Sequence, residues 1–151
     1  MKKNIEEISK EKIVVLDGAM GTMIQKYNLN ESDFRGERFK DHLVALKGNN
    51  DILSITNPQI IKDIHLAYLD AGADIITTNT FNANAVSMAD YGMINEVYEM
   101  NFTSARLAVE TVAEFDKAEK VVNPPSKPVV KRNLISCEIF PLPASPKTTP
   151  K

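Results

Sequence analysis

The chain has 151 residues, of which 43% are hydrophobic and 25% are charged, and its formal net charge is −2. This composition is typical of one soluble globular domain and excludes a disordered or fibrous chain. The nearly neutral charge gives no general attraction to nucleic acid or to an anionic membrane. A single cysteine, Cys137, excludes an internal disulfide and cannot form a zinc site without His or carboxylate partners.

Neither a targeting segment nor a membrane span is predicted. The residues from Met1 to Lys12 mix lysine with glutamate and lack the apolar core of a signal peptide. No later stretch approaches the roughly 18 consecutive apolar residues that a membrane span needs. We therefore expect a cytoplasmic protein with neither nucleic acid nor membrane as a partner.

Charge and proline content divide the chain into three parts. Residues 1–122 hold 13 basic and 19 acidic residues, whereas residues 123–151 hold 5 basic and 1 acidic residue and seven of the eight prolines. We predict an N-terminal extension over residues 1–12, a domain over residues 13–122 and a proline-rich tail over residues 123–151. Val129–Ile135 is the one plausible strand of the tail, and we expect disorder from about Phe140.

The first predicted element of the domain is a short buried strand. The run Lys12–Gly18 is apolar and β-branched and ends in an acid and a glycine, which is typical of a parallel strand entering its loop. A short helix is predicted over Ala19–Tyr27. Asn28–Asn50 is polar without a sustained period and is interpreted as a long loop, a feature that is more often functional than structural.

A helix, a second strand and a long helix follow. Asn57 and Pro58 predict a capped helix start, and the helical period then continues to Gly72. Asp74–Phe81 is the second β-branched run, and it ends in polar residues. The last helix extends to about Lys117, and one of its faces is marked by apolar residues: Ile94, Tyr98, Phe102, Ala105, Val109 and Val112.

This order of strands and helices predicts an α/β fold with right-handed βαβ units and a parallel sheet. Functional residues of such sheets lie at the carboxyl ends of the strands. Asp17 and Gly18 end the first strand, and Thr78, Asn79 and Thr80 end the second. We therefore expect these two groups to face the same mouth.

The string Asp17-Gly-Ala-Met-Gly-Thr22 is the most informative one. Asp17 can accept hydrogen bonds from an ammonium group or from backbone amides, and the glycines Gly18 and Gly21 allow a ligand to approach the backbone closely. The alternative is an ordinary strand-end turn in which Asp17 caps the next helix. Spacing alone leaves both interpretations open.

The string Thr77-Thr-Asn-Thr-Phe81 places three hydroxyls and one amide at the end of the second strand. These groups can hold a carboxylate or an amino group by neutral hydrogen bonds. They can equally well satisfy the local backbone. Both alternatives remain at this point.

The two histidines do not indicate a metal site. His42 and His65 are separated by a loop and a helix, and His65 stands among Ile61, Ile64 and Leu69, so we interpret it as a packed helix residue. Lys131 and Arg132 are too few for a nucleic-acid patch. P-loop, G-x-G-x-x-G and G-x-S-x-G motifs are absent from the sequence, which removes the usual support for phosphate-cradle and serine-hydrolase functions.

Several long strings in one order resemble the homocysteine S-methyltransferase family, and within it the N-terminal homocysteine-binding module of cobalamin-dependent methionine synthases. The resemblance runs from about Ile13 to Phe115. It is carried by these strings: Leu16-Asp-Gly-Ala-Met-Gly-Thr-Met-Ile-Gln25, Asp33-Phe-Arg-Gly-Glu-Arg-Phe39, Gly48-Asn-Asn-Asp-Ile-Leu53, Ala71-Gly-Ala-Asp-Ile-Ile76, Thr78-Asn-Thr-Phe81 and Met88-Ala-Asp-Tyr-Gly-Met93.

The resemblance implies a (β/α)8 TIM barrel in which zinc binds homocysteine as a thiolate, the nucleophile that takes a methyl group from methylcobalamin to give methionine. It further implies that Asp17 and Gly18 hold the amino-acid end of homocysteine. Asn79, Thr80 and Phe81 match the family positions at the mouth of the second strand.

Two departures from the family pattern matter. Thr77 stands where relatives usually have glutamate, and Cys137, in Ser-Cys-Glu-Ile-Phe, does not match the family's zinc-ligand strings. After about Val130 the expected third-strand string is absent, which indicates either a shifted reading frame or a genuine divergent tail. We therefore expect an incomplete barrel of two to three βα units, with neither zinc nor cobalamin bound by this chain alone.

Two functions follow from these expectations. The first is a fragment of a methyltransferase, inactive alone, that pairs with the missing remainder of the barrel and takes homocysteine as its ligand. The alternative is a non-catalytic module that binds an amino acid or offers its open sheet edge to a partner.

Overall fold

The structure is a computed structural model that describes residues 5–122, with side chains as far as residue 117. The predicted tail, including Val129–Ile135 and Cys137, lies outside the described residues. Seven α-helices are present in the described part: α1 Ile5–Ser9, α2 Met20–Gln25, α3 Glu31–Arg35, α4 Leu53–Thr56, α5 Pro58–Asp70, α6 Ala85–Ala89 and α7 Val97–Val122. Two 3₁₀ helices, Asn50–Ile52 and Ile94–Glu96, precede α4 and α7. Within residues 5–122, no helix is both long and apolar enough to cross a membrane.

The two predicted strands are reduced to a single parallel bridge between Leu16 and Ile75. The Asp17 N–H donates to the Ile75 carbonyl at 2.9 Å, and the Ile75 N–H donates to the Val15 carbonyl at 3.2 Å. The prediction of regular strands over 12–18 and 74–81 is therefore wrong for the described residues, although the pairing is parallel as the βαβ order requires. Parallel strands are stable when they are buried between neighbours, and here only two segments meet.

The predicted loop 28–50 contains helix α3, which corrects that prediction. Asn30 caps this helix: its Oδ1 accepts from the N–H groups of Ser32 at 2.9 Å and Asp33 at 3.3 Å, and the Asp33 carboxylate accepts from the Asn30 N–H at 2.8 Å. This reciprocal arrangement is a capping box, which stabilises a short helix that the apolar spacing does not reveal.

Glu31 and Arg35 of α3 fix the segment that follows. Glu31 accepts from the N–H groups of Leu46 at 2.8 Å and Lys47 at 2.7 Å, and from Arg35 Nε at 2.6 Å. The bond from Leu46 is the main reason that the pKa of Glu31 is lowered. Arg35 also donates to the carbonyl of Val44 at 3.2 Å. The polar chain between α3 and the first 3₁₀ helix thus has defined hydrogen-bond partners.

Helix α5 begins at Pro58 and ends before Gly72, as predicted. Pro58 occupies the first turn, and Gly72 has a φ of +98°, which favours glycine after a helix end. The predicted cap by Asn57 is wrong in one respect, because its side chain makes no capping hydrogen bond. Its backbone carbonyl accepts from the Ile60 N–H at 3.2 Å instead.

The core lies among α2, α4, α5 and α7, with α5 and α7 packed against each other most extensively. Helix α7 does not bury the predicted face: Tyr98, Phe102 and Val109 are half or more exposed. The neighbouring face, which carries one methionine and otherwise small or hydroxyl-bearing residues, is the buried one. It consists of Met100, Ser104, Ala108 and Thr111. Apolar spacing alone identified the wrong side of the helix.

Candidate functional site

A cavity of about 770 Å³ opens between the chain segments that meet at the Leu16–Ile75 bridge. We call it the groove. Its volume lies within the range of small-molecule sites. Thirteen residues line it: Leu16, Gly18, Ala19, Met20, Gly21, Thr22, Gln25, Ile75, Thr77, Thr78, Asn79, Thr80 and Phe81. Four of the five residues expected at the homocysteine site are in this set, and the fifth, Asp17, is bonded to Thr77.

The carboxylate of Asp17 is held in one orientation by Thr77. The Thr77 N–H donates to Asp17 Oδ2 at 2.8 Å, and the Thr77 hydroxyl donates to Oδ1 at 3.1 Å. Burial raises the pKa of Asp17, while the two bonds from Thr77 act in the opposite direction without cancelling this effect. Asp17 is thus a half-buried acceptor with a fixed geometry, and it does not cap helix α2, whose cap lacks a side-chain bond.

Gly18 is required by a close approach of helix α5. A Cβ at this position would lie 2.9 Å from Tyr68 Oη and 3.1 Å from its Cε1. Tyr68 cannot move away freely, because its hydroxyl donates to the Ala19 carbonyl at 3.3 Å. The absence of a side chain at Gly18 therefore lets Tyr68 of α5 pack directly against the turn.

Asn79 is buried at the base of the groove. Its Nδ2 donates to the Asn50 carbonyl at 2.8 Å and to Ser54 Oγ at 3.2 Å. Thr80 is half-buried, and its hydroxyl lies 2.8 Å from that of Thr78. Phe81 is 94% exposed, so it borders the groove without being packed. The polar string at the end of the second segment thus combines one anchored amide, hydroxyl groups and one free aromatic ring.

Asp51 does not line the groove, but it holds the chain directly after Phe81, and it was not predicted from the sequence. Its side chain is 3% exposed, and its Oδ1 accepts from the Asn82 N–H at 3.2 Å. Burial is the main reason that the pKa of Asp51 is raised. Asp51 and Asn50 lie in the string Gly48-Asn-Asn-Asp-Ile-Leu53, whose polar residues directly before an apolar run are the signal that could have identified them.

The described residues do not offer a metal site. No group of three or more His, Cys, Asp or Glu that could hold a metal occurs within residues 5–122. His42 Nε2 lies 2.7 Å from the Tyr91 carbonyl. His65 is fully buried, as expected for a packed helix residue, and desolvation lowers its pKa to about 4. In this part of the chain, the donor set needed for zinc is not present.

Residues 5–122 are thus mostly helical, and they carry a candidate small-molecule site at the ends of two parallel segments. Comparison with known families then gives the particular family. The model of the homocysteine S-methyltransferase family matches residues 14–135. This match covers most of the chain, which therefore belongs to the homocysteine S-methyltransferase family.

A solved structure supports the fold assignment. The chain is similar to the crystal structure of the homocysteine methyltransferase MmuM from Escherichia coli in its metallated form, with a TM-score of 0.54 and 23% identity. The alignment covers 78% of this chain and 35% of that one. This chain thus spans about a third of the length of that TIM-barrel relative.

Proposed function

We propose that this chain carries part of the homocysteine site of a methyltransferase of the cobalamin-dependent methionine synthase type. The observation that supports the proposal best is the assembly of Gly18, Asn79, Thr80 and Phe81 around one groove, with Asp17 bonded to the groove residue Thr77. The membership of the family makes homocysteine the ligand to test first.

The chemistry of the groove suits an amino acid. Asp17 is an acceptor whose oxygens already have a fixed direction, so an ammonium group could pair with it without reorganising the side chain. Gly18 lines the groove, so its backbone can lie against the ligand. The hydroxyls of Thr78 and Thr80 are neutral donors that suit a carboxylate. The exposed ring of Phe81 is free to cover an aliphatic thiol chain.

Zinc in this family would make the homocysteine thiol available as a thiolate. The residues described here do not fit that ion, since they lack a three-ligand set. We therefore propose that the zinc ligands, the cobalamin module and the remaining βα units lie outside residues 5–122. The chain by itself would then be an incomplete barrel that binds but does not catalyse.

Methyl transfer by the 151-residue chain alone is the most direct test of this inactivity. We expect no methionine when the chain is incubated with zinc, homocysteine and methylcobalamin, measured by mass spectrometry. Methionine formation above the rate without protein would contradict the proposal.

The alternative is a non-catalytic module that binds amino acids. The groove and the lack of a metal site among the described residues support this alternative as well as they support the methyltransferase fragment. Titration calorimetry without zinc separates the two functions. Binding of homocysteine no tighter than that of methionine or homoserine indicates a general amino-acid module. A clear preference for homocysteine indicates a substrate site.

A matched pair of variants identifies the site itself. Asp17→Asn keeps an acceptor for the Thr77 N–H and removes the charge, so the dissociation constant for homocysteine should rise about tenfold, as for loss of a charge-assisted hydrogen bond. Asp63→Asn removes an equivalent charge from the exposed side of α5, where Asp63 only accepts from Gln59. This control should bind like the wild type. Equal affinities of both variants would exclude Asp17 from the site.

A further inference from the structure

Two buried serines connect distant elements to Asn79. Ser54 of α4 and Ser104 of α7 are fully buried, and their hydroxyl oxygens lie 2.7 Å apart. Asn79 Nδ2 lies 3.2 Å from Ser54 Oγ, and Ser104 Oγ lies 3.2 Å from the Asn79 backbone carbonyl. The three residues form a closed ring of hydrogen bonds that begins and ends on Asn79. We call it the serine ring.

The Asn50 carbonyl decides which way the amide of Asn79 points, and the serine ring holds the amide in that orientation. The atom of the Asn79 side chain that lies 2.8 Å from the Asn50 carbonyl must be the NH₂ group, because a backbone carbonyl can only accept. The second hydrogen of the same group is directed at Ser54. Both amide hydrogens are thereby used, and the one side-chain atom left for a ligand is the carbonyl Oδ1.

The hydroxyl groups of Ser54 and Ser104 are compatible with this orientation of the Asn79 amide. Ser54 accepts from Asn79 and from Ser104, whose hydroxyl hydrogen is shared between Ser54 Oγ and the Asn79 backbone carbonyl. Every contact in the ring then has one donor and one acceptor. A reversed amide would place Oδ1 against the Asn50 carbonyl, where two acceptors repel each other. In a buried site this mismatch is expensive.

We propose that Ser54 and Ser104 are positioning residues that fix Asn79 as a hydrogen-bond acceptor toward the groove. Asn79 and Asp17 then both accept, so this end of the groove recognises the ammonium group of its ligand and not the carboxylate. This inference rests on the proposed function for its ligand, but the orientation of the amide can be measured without one.

Ligand analogues test the proposal on the full chain. Homocysteine carries both charged groups, 3-aminopropanethiol carries only the ammonium group, and 4-mercaptobutanoate carries only the carboxylate. Ser104→Ala should weaken calorimetric binding of the first two about fivefold, the effect of one hydrogen bond, and leave 4-mercaptobutanoate within about twofold. An equal loss for all three ligands would reduce Ser104 to a purely structural role and overturn the proposal.

Thr111→Val is the matched control. Thr111 lies on the same buried face of α7, and its hydroxyl donates only to the Leu107 carbonyl of its own helix at 2.7 Å. This variant also deletes a buried hydroxyl without touching the serine ring. It should bind all three ligands like the wild type.

Hydrogen exchange of the Asn79 side-chain NH₂ group, followed by NMR, supplies the readout without ligand. We expect slow exchange in the wild type and in Thr111→Val, and faster exchange in Ser104→Ala. Unchanged exchange in Ser104→Ala overturns the positioning role. If the wild type binds none of the three ligands, the proposed function fails, while the exchange experiment still decides whether the ring orients Asn79.

Discussion

Two sets of polar groups differ in whether they have hydrogen-bond partners: those at and behind the groove do, and the imidazole of His65 does not among the described residues. Asp17, Asn79 and Ser104 have defined hydrogen-bond partners. Both ring nitrogens of His65 are buried without a partner among the described residues. A partnered polar group keeps its direction and can serve a ligand, whereas an unpartnered one lowers stability. The comparison favours the groove as the candidate binding site and identifies His65 as a buried group that costs the core stability.

The largest expected effect is the loss of stability on acidification caused by His65. The pKa of this group is about 4 in the folded chain and near 6.5 when exposed, so the unfolded state binds more protons between these values. The His65 contribution is fully present above pH 6.5 and is lost as the pH falls toward 4. The loss is on the order of 3 kcal/mol, measurable by urea unfolding at several pH values.

His65→Leu isolates this effect from the titration of the carboxylates. The variant should be at least as stable as the wild type at pH 7, because no unpartnered imidazole is buried. Its unfolding free energy should lack the His65 part of the pH dependence between 6.5 and 4. Parallel curves for both proteins would show that His65 has a partner in solution.

A medium effect is expected for Gly18→Ala. The added Cβ meets Tyr68 Oη at 2.9 Å, so either the turn or the ring must shift, at an expected loss of about 1–3 kcal/mol in unfolding free energy. The groove should lose homocysteine affinity at the same time, since the turn belongs to its wall.

Gly21→Ala is the control for this substitution. A Cβ there would lie 3.5 Å from Asn50 Nδ2, an ordinary contact, and Gly21 is a helical residue of α2. Alanine should be neutral or stabilising by up to about 1 kcal/mol at this position. Equal losses at both glycines would show that the contact with Tyr68 is not the cause.

The smallest effect concerns the pH dependence of binding. Because burial raises the pKa of Asp17 above its usual 3.8, homocysteine binding should be lost on acidification at a midpoint above that value. Thr77→Val removes the hydroxyl that donates to the carboxylate while keeping the N–H. The midpoint should move to higher pH, and the unfolding free energy should change by about 1 kcal/mol or less.

Thr77→Ser retains the hydroxyl and is the matched control. Its binding midpoint should stay with that of the wild type when calorimetric titrations are repeated between pH 3 and 7. A midpoint that is the same in all three proteins would show that the Thr77 hydroxyl does not act on Asp17.

The elements that could be predicted from the sequence are those whose signals are local. Pro58 and Gly72 define the bounds of α5 through fixed backbone preferences. The strands were overpredicted because a parallel ladder depends on neighbours that the local sequence does not reveal. The buried face of α7 was missed because Ser104 and Thr111 are buried by close helix packing, which a pattern of apolar residues does not register.

In the candidate site, too, the residues with local signals were predicted and those brought in by distant contacts were not. Asp17, Gly18 and residues 78–80 were expected together because the ends of parallel segments meet at one edge, and Phe81 was added by the family resemblance. Gly18 and residues 78–81 do line one groove. Asn50, Ser54 and Ser104 were not expected there. Their contacts to Asn79 span 25 residues or more, so only the folded chain brings them together.

Chemical-shift mapping with homocysteine is the most direct test of the central claim that the groove is the ligand site. The ¹⁵N-labelled 151-residue chain is titrated with homocysteine, and the backbone amide signals are followed. We predict saturable shifts for Gly18 and for residues 77–81, with Asp63 and the rest of the exposed side of α5 unaffected. Shifts confined to residues away from the groove, or no saturable shift at all, would contradict the account.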